Sequence, residues 1–364
     1  MKKGAIGSYT RHVALLLGLF AAGQCAWANQ RNEVVVLGDS LSDTGNLYAL
    51  TGSFPPSPPY AERFSNGPVW VEYLAKQLHV PLDSRAYGGA LTGPVAVLGS
   101  TFSNFDNIQY PGVFPPLPGI QEEVDALLAD HPRGLNPAAL YVVWAGGNEV
   151  FLGLQLGPAE LAQLLQDAVQ NLAGTVCRLG LAGARHFAVG NLPDLGLTPL
   201  GWSLGPQGAG MLSVVSAQFN AGLAQAVGAL PDACADTVVM LDAFQYTHDI
   251  TARPKAFGFA NVAEPCVVKT AGGFDFNEDC MADPESFLFW DEVHPTTAGH
   301  AVFADLFRNA FCGSGGLRSE VKGRPATKPP PEWRNACYGL RRGGDDERNE
   351  GPEEGHHEGP KARR

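Results

Sequence analysis

Four short segments are predominantly apolar and rich in valine: EVVVLG at 33–38, ALYVVWA at 139–145, RHFAVG at 185–190 and TVVMLD at 237–242. A strand that wets one face alternates apolar and polar residues. A strand apolar nearly throughout must be covered on both faces, as parallel strands are. Helices are therefore required above and below, and the sequence supplies them. FSNGPVWVEYLAKQL, 64–78, sets Pro68 at a first helical position and then Val69, Trp70, Tyr73 and Leu74 on one face. Behind Pro158, residues Leu161, Leu164, Leu165, Ala168, Leu172, Val176 and Leu179 keep helical spacing. Segments 120–130, 208–230 and 297–311 read as further helices. Strand and helix in alternation over 29–312 predict an α/β fold, a three-layer α/β/α sandwich around a mainly parallel sheet.

The ends of the chain differ from this body. Lys2, Lys3 and Arg11 precede the apolar run VALLLGLFAAG at 13–23, and AWA follows at 26–28. That is the layout of a secretory signal peptide, cleaved near Ala28. The run is short for a membrane span. Cys25 raises a lipoprotein reading, but Gln24 before it is a poor residue for lipid attachment. Residues 313–364 are charged and rich in Gly and Pro, a composition that favours a disordered tail. His356 and His357 there read as solvated tail residues rather than as metal ligands. Cys337 is the one hint of an anchor point.

Charge excludes some partners. The first 28 residues hold three Lys/Arg and no Asp/Glu, and the last 52 hold 11 and 9. Residues 29–312 therefore carry 11 basic and 28 acidic side chains, a net of −17. Such a surface repels nucleic acid and anionic membranes. Removing residues 1–28 leaves six cysteines, an even number that suits disulfides in an exported chain. Six cysteines allow 15 pairings. Cys266–Cys280 is the favoured one, since it would clip a loop rich in Gly and Asp. A zinc site needs ligand spacings that do not occur here. The body is expected to work as a monomer, secreted or periplasmic.

Ligands of parallel α/β sheets bind at the carboxyl ends of the strands. There VVVLGDSLSDTGN, 34–46, places Ser40 just past the first strand. A serine needs a base, a carboxylate to orient the base, and donors for an oxyanion. FWDEVHPTTAGH, 289–300, offers Asp291 and His294 three residues apart, just before a helix. WAGGNEV, 144–150, offers the Asn148 amide, a donor that does not titrate. AYGGALTG, 86–93, offers a turn where a backbone N–H can approach a substrate closely.

Gly-Asp-Ser-Leu, then Gly-Gly, then Gly-x-Asn, then Asp-x-x-His, in this order, resemble the blocks of the GDSL lipase/esterase family, also called SGNH hydrolases. GDSLSDTGN, FSNGPVWVEYLA, YVVWAGGNE and VGNLPDLGLTP resemble its secreted bacterial branch. The resemblance covers about 32–312. It implies a flavodoxin-like fold with a five-stranded sheet and the hydrolysis of carboxylic esters without metal or organic cofactor. It gives Ser40 as nucleophile, His294 as base and Asp291 as orienting carboxylate. The oxyanion donors would be the N–H of Ser40, the N–H of Gly89 in preference to Gly88, and Asn148. Two positions depart from the family pattern: Ser84 stands where Asn is common, and Glu149 where Asp is common.

GWSLG, 201–205, is a decoy. It fits Gly-x-Ser-x-Gly, and Asp242 and His294 lie downstream, but its flanks hold prolines instead of a strand. Acyl transfer to a lipid, sterol or sugar would use the same residues, as would a polysaccharide O-acetyl esterase. A secreted binding protein of the same fold would not need all of them. The aromatic and proline-rich stretches at 54–60 and 105–118 are either an acyl groove or packed covers. No long apolar lid is evident, which favours a soluble, lysophospholipase-like esterase that contacts lipid aggregates peripherally. If His294 is the base, the rate of ester hydrolysis should rise through roughly pH 6 to 7.5. A flat profile across that window would count against it.

Overall fold

The computed structural model of the chain describes residues 32–313 and 329–338. The signal-peptide segment, Cys25, His356 and His357 lie outside these residues. Five strands form the central sheet: β1 (Val34–Gly38), β2 (Leu82–Ser84), β3 (Leu140–Trp144), β4 (His186–Gly190) and β5 (Thr237–Leu241). Their order is β2-β1-β3-β4-β5, and every pairing is parallel. This is the flavodoxin-like order, which reverses direction at β1. The expected sandwich is therefore present. Four strands match the apolar segments within a residue. The fifth, Leu-Asp-Ser of β2, is an edge strand of three half-buried residues and carries no apolar signal.

Alternate residues of each strand serve opposite layers. Val35, Leu37, Tyr141, Val143, Phe187 and Val189 face the helices Ile120–Asp130, Pro158–Leu181 and Gly205–Gly228. Val34, Val36, Leu140, Val142, Ala188 and Leu241 face Trp70–Leu78, Ala243–Ala252 and Thr297–Cys312. In the first of these, Pro68 lies just ahead of the helix, and Glu72 accepts the Val69 N–H (2.9 Å). Trp70 is completely buried and meets Phe307 and Trp144 edge to face at 4.8 and 5.3 Å.

Three disulfides close loops of different lengths: Cys177–Cys234, Cys266–Cys280 and Cys312–Cys337, with sequence separations of 57, 14 and 25. The expected Cys266–Cys280 pair is among them. The third corrects the reading of 313–364 as one disordered tail. Residues 329–338 pack onto the body, with Trp333 fully buried and its indole N–H bonded to Ala138 O at 3.0 Å. Its ring meets Phe311 at 5.3 Å, and Glu332 bonds His186 at the start of β4. One buried tryptophan and one disulfide hold ten residues that composition alone assigns to solvent.

The Cys177–Cys234 bridge draws the turn Asp232–Cys234 against the long helix so closely that Gly180, one turn after Cys177, has no room for a side chain. A Cβ there would lie 1.7 Å from the Cys234 carbonyl oxygen. Alanine is a better helix former by about 1 kcal/mol. Backbone overlap outweighs that, so Gly180→Ala should destabilise the protein by about 1–3 kcal/mol. Urea unfolding measures it, and an unchanged or raised midpoint would mean that the contact opens freely.

Candidate active site

The strand order reverses at β1, and the segments leaving β1 and β3 diverge there. After Gly38 the chain closes a tight turn, with Ser42 N and Asp43 N donating to Asp39 O at 2.9 and 3.0 Å. Ser40 sits half-buried on this turn. Buried carboxylates pin the turn to its neighbours. Asp43 accepts N–H groups from Gly45, Asn46 and Leu47, and also from Gly88 across the site at 2.8 Å. Glu123 accepts from Gly38 (2.9 Å) and Tyr87 (3.2 Å). Glu149 accepts from Thr92 at 2.6 Å. The departure at Glu149 thus has a structural use: its carboxylate anchors the segment that follows the two glycines. Ser84 keeps a small bond, to Ser42 O at 3.3 Å.

The structure brings Ser40, His294 and Asp291 into hydrogen-bonding distance. Ser40 Oγ lies 2.8 Å from His294 Nε2. His294 Nδ1 lies 2.7 and 2.9 Å from the two Asp291 oxygens. Asp291 Oδ1 also accepts the N–H groups of Val293 and His294, which fixes the carboxylate relative to its own loop. The Tyr60 hydroxyl donates to Asp291 Oδ2 at 2.7 Å. The histidine and aspartate side chains are 14% and 13% exposed. Phe64 lies against the imidazole at 5.1 Å between centroids.

Gly89 and Asn148 line the same cleft as Ser40 and His294. Asn148 donates one amide hydrogen to Ala90 O (2.9 Å), which orients its side chain. Gly88 N–H is spent on Asp43, so the donor open to a ligand in this pair belongs to Gly89. Gly89 has φ +73°, and a Cβ there would lie 2.4 Å from Asn104 Oδ1 and 2.5 Å from Asp106 Oδ2. Glycine is required on both counts. The cleft encloses about 290 Å³, and its walls are rich in aromatic residues, Phe54, Tyr60, Phe64, Phe105, Tyr110 and Phe274 among them. The aromatic and proline-rich stretches of the sequence thus do both: Phe54, Tyr60, Phe105 and Tyr110 line the cleft, while Phe114 and Leu117 pack behind it in a cluster with Leu47 and Phe64.

The decoy is not assembled. Ser203 ends the helix Pro199–Ser203 and donates to Leu200 O at 2.7 Å. Asp242 caps the helix at 243 and accepts from Asn191. Among the described residues, no group of three or more His, Cys, Asp or Glu side chains could hold a metal ion.

Electrostatics separate the two histidines of the segment. His300 is buried, and burial, with His294 nearby, pushes it down to about 3, so it stays neutral. Burial alone would also push His294 down. The Asp291 carboxylate outweighs that, with further help from Asp39 and Asp106, and holds His294 above its ordinary value. Asp291 is depressed despite its burial, because His294 and two backbone N–H groups stabilise its charge. Burial lifts Asp39 to about 7 and Asp106 to about 6. Sequence reasoning passed over Tyr60, Glu123 and Asp106. Only the fold joins Tyr60 to a partner 231 positions away, and no local spacing announces it.

The model of the GDSL-like lipase/acylhydrolase family matches residues 34–307. The chain is similar to the thermolabile hemolysin of Vibrio parahaemolyticus, at 29% identity over 79% of this chain and 67% of that protein. It is similar to the phosphatidylcholine-sterol acyltransferase of Aeromonas hydrophila, at 29% identity over 80% and 93%. Esterase EstA of Pseudomonas aeruginosa is 28% identical over 80% of this chain, which spans about half of EstA, 48%. Among solved structures, an acetyl xylan esterase variant from Geobacillus stearothermophilus matches 76% of this chain and 92% of its own, with a TM-score of 0.39 and 14% identity.

A base works only when unprotonated, so activity should fall as pH drops through the raised His294 value. Asp39, lifted to about 7 by burial, carries its charge only over the upper part of that limb, so Asp39→Asn should move the limb to lower pH by less than about half a unit. A limb that stays in place in a pH–rate profile would show that Asp39 exerts no field on the base.

Proposed function

The chain belongs to the GDSL-like lipase/acylhydrolase family, and on that premise we propose that it hydrolyses acyl esters through a Ser40–His294–Asp291 triad and an acyl-enzyme. The observation that carries this reading is the unbroken relay of 2.8 and 2.7 Å from Ser40 Oγ through the imidazole to Asp291. Ser40 attacks the ester carbonyl and passes its proton to His294 Nε2. Asp291 fixes the other ring nitrogen as a donor and stabilises the imidazolium that forms. The oxyanion is met by Asn148 and by the N–H groups of Ser40 and Gly89, donors that need no rearrangement. His294 protonates the departing alcohol. Water, activated by the same imidazole, then releases the acid and restores Ser40. No step calls for a metal or organic cofactor.

The aromatic walls suit the apolar acyl part of the substrate, as in a lysophospholipase-like esterase. Peripheral contact with lipid aggregates and action as a monomer complete the reading. Export, to the periplasm or beyond, is supported by three disulfides, which persist in oxidising compartments. In domain terms, residues 1–28 are the leader, and the hydrolase domain extends from 29 to 312 with the docked segment 329–338 added.

A second reading has an observation behind it. The Aeromonas hydrophila acyltransferase is similar over 93% of its length. An alcohol in place of water at the acyl-enzyme would give transfer with the same residues. Hydrolysis of p-nitrophenyl acyl esters from acetyl to palmitoyl, with and without an added long-chain alcohol, separates the two. Free acid as main product under both conditions is expected for an esterase, and acyl-alcohol would make transfer the activity. Ser40→Ala should lower kcat by at least about 10⁴-fold, and Ser203→Ala should leave it unchanged. The reverse pattern would overturn the assignment.

A further inference from the structure

The relay does not end at Asp291. We infer that Tyr60 is a positioning residue of this site, fixing the outer oxygen of Asp291 and tying the base to the aromatic wall of the cleft. The inference rests on the triad proposed above.

Three observations carry it. The Tyr60 hydroxyl donates to Asp291 Oδ2 at 2.7 Å, the oxygen that lies closer to His294 Nδ1. Asp291 Oδ1 is held by two backbone N–H groups. Without Tyr60, Oδ2 would have the imidazole as its one partner among the described residues. The phenol also keeps its proton. Burial raises it, and the Asp291 charge raises it further, so it remains a donor throughout the working range. Finally, Tyr60 belongs to the cleft wall. Its ring stands edge to face with Phe64 at 6.3 Å and Phe274 at 6.0 Å, and all three line the space in front of Ser40. Phe64 in turn covers His294.

The chemistry sets the sign of the effect. A donor to a carboxylate spreads and stabilises its charge. Remove it, and Asp291 is held less firmly while its charge falls more fully on His294. The imidazole then becomes harder to deprotonate and freer to rotate away from Ser40. Both consequences lower turnover. Neither alters how the ring of residue 60 packs against an acyl chain, because phenylalanine keeps that ring.

Tyr60→Phe is the test, measured as kcat, KM and the pH–rate profile on a p-nitrophenyl ester. Asp291→Asn, the double variant Tyr60→Phe/Asp291→Asn, and Phe274→Leu are run beside it. The expected result is a fall in kcat of about tenfold, the size of one hydrogen bond to a charged group. KM should stay within about twofold, and the acid limb should move to higher pH. In the Asp291→Asn background the same change should cost little more, since the carboxylate charge that the phenol steadies is already gone. Phe274→Leu should change KM and leave the limb in place. Wild-type kcat and an unmoved limb in Tyr60→Phe, with Asp291→Asn impaired, would overturn the role of Tyr60 and leave the triad standing. A raised KM with unchanged kcat would make Tyr60 a wall residue only. An undiminished Asp291→Asn would bring down the triad, and this inference with it.

Discussion

Buried carboxylates that accept backbone N–H groups hold this site in shape. The turn after β1, the glycine pair after β2 and the segment leaving β3 are irregular backbone, and their polar groups cannot be left unpaired in the interior. Asp43 takes four N–H groups from two of these segments. Glu123 joins the end of β1 to Tyr87, and Glu149 joins the helix after β3 to Thr92. Each is almost fully buried. Without them the turns of Ser40 and Gly89 and the helix start that carries Asn148 would have no fixed relation to one another.

The same carboxylates have an electrical effect. Most are lifted by burial, as Asp39, Asp106, Glu123 and Glu149 all are. Asp291 alone among the acids of the cleft is depressed, because its partners are donors and a cation. That contrast separates the acids of the site by environment. The neighbours of His294 raise it, Asp291 most of all, with smaller contributions from Asp39 and Asp106 across the cleft. An imidazole in a neutral pocket of equal burial would behave as His300 does, neutral and unable to hold a proton.

Much of this was legible in the residues. Strands apolar on both faces announce their layers, so β1, β3, β4 and β5 could be read, and Ser40 and Asn148 could be located at strand ends. β2 could not, because an edge strand of Leu-Asp-Ser has no core face to reveal it. Asp291 and His294 are close in sequence, and their pairing is a local matter of one loop. Tyr60 and Asp291 meet only through the tertiary fold, so no spacing rule reaches them. The choice of Gly89 over Gly88 came from family resemblance. Its physical ground is a contact made only in the fold, the Gly88 N–H held by Asp43. Composition failed at 329–338 because a window of 52 residues averages one tryptophan and one cysteine into a background of charge and glycine.

The docked segment also gives the molecule a polarity. Trp333 bonds Ala138, just before β3, and Glu332 bonds His186, the first residue of β4. Both contacts lie at the amino ends of the strands, whereas Ser40 and Asn148 follow their carboxyl ends. Residue 338 therefore lies toward the pole opposite the cleft. Material joined to the chain at that point, whether a surface, a reporter or another catalytic unit, would tether the enzyme with its mouth facing away from the attachment.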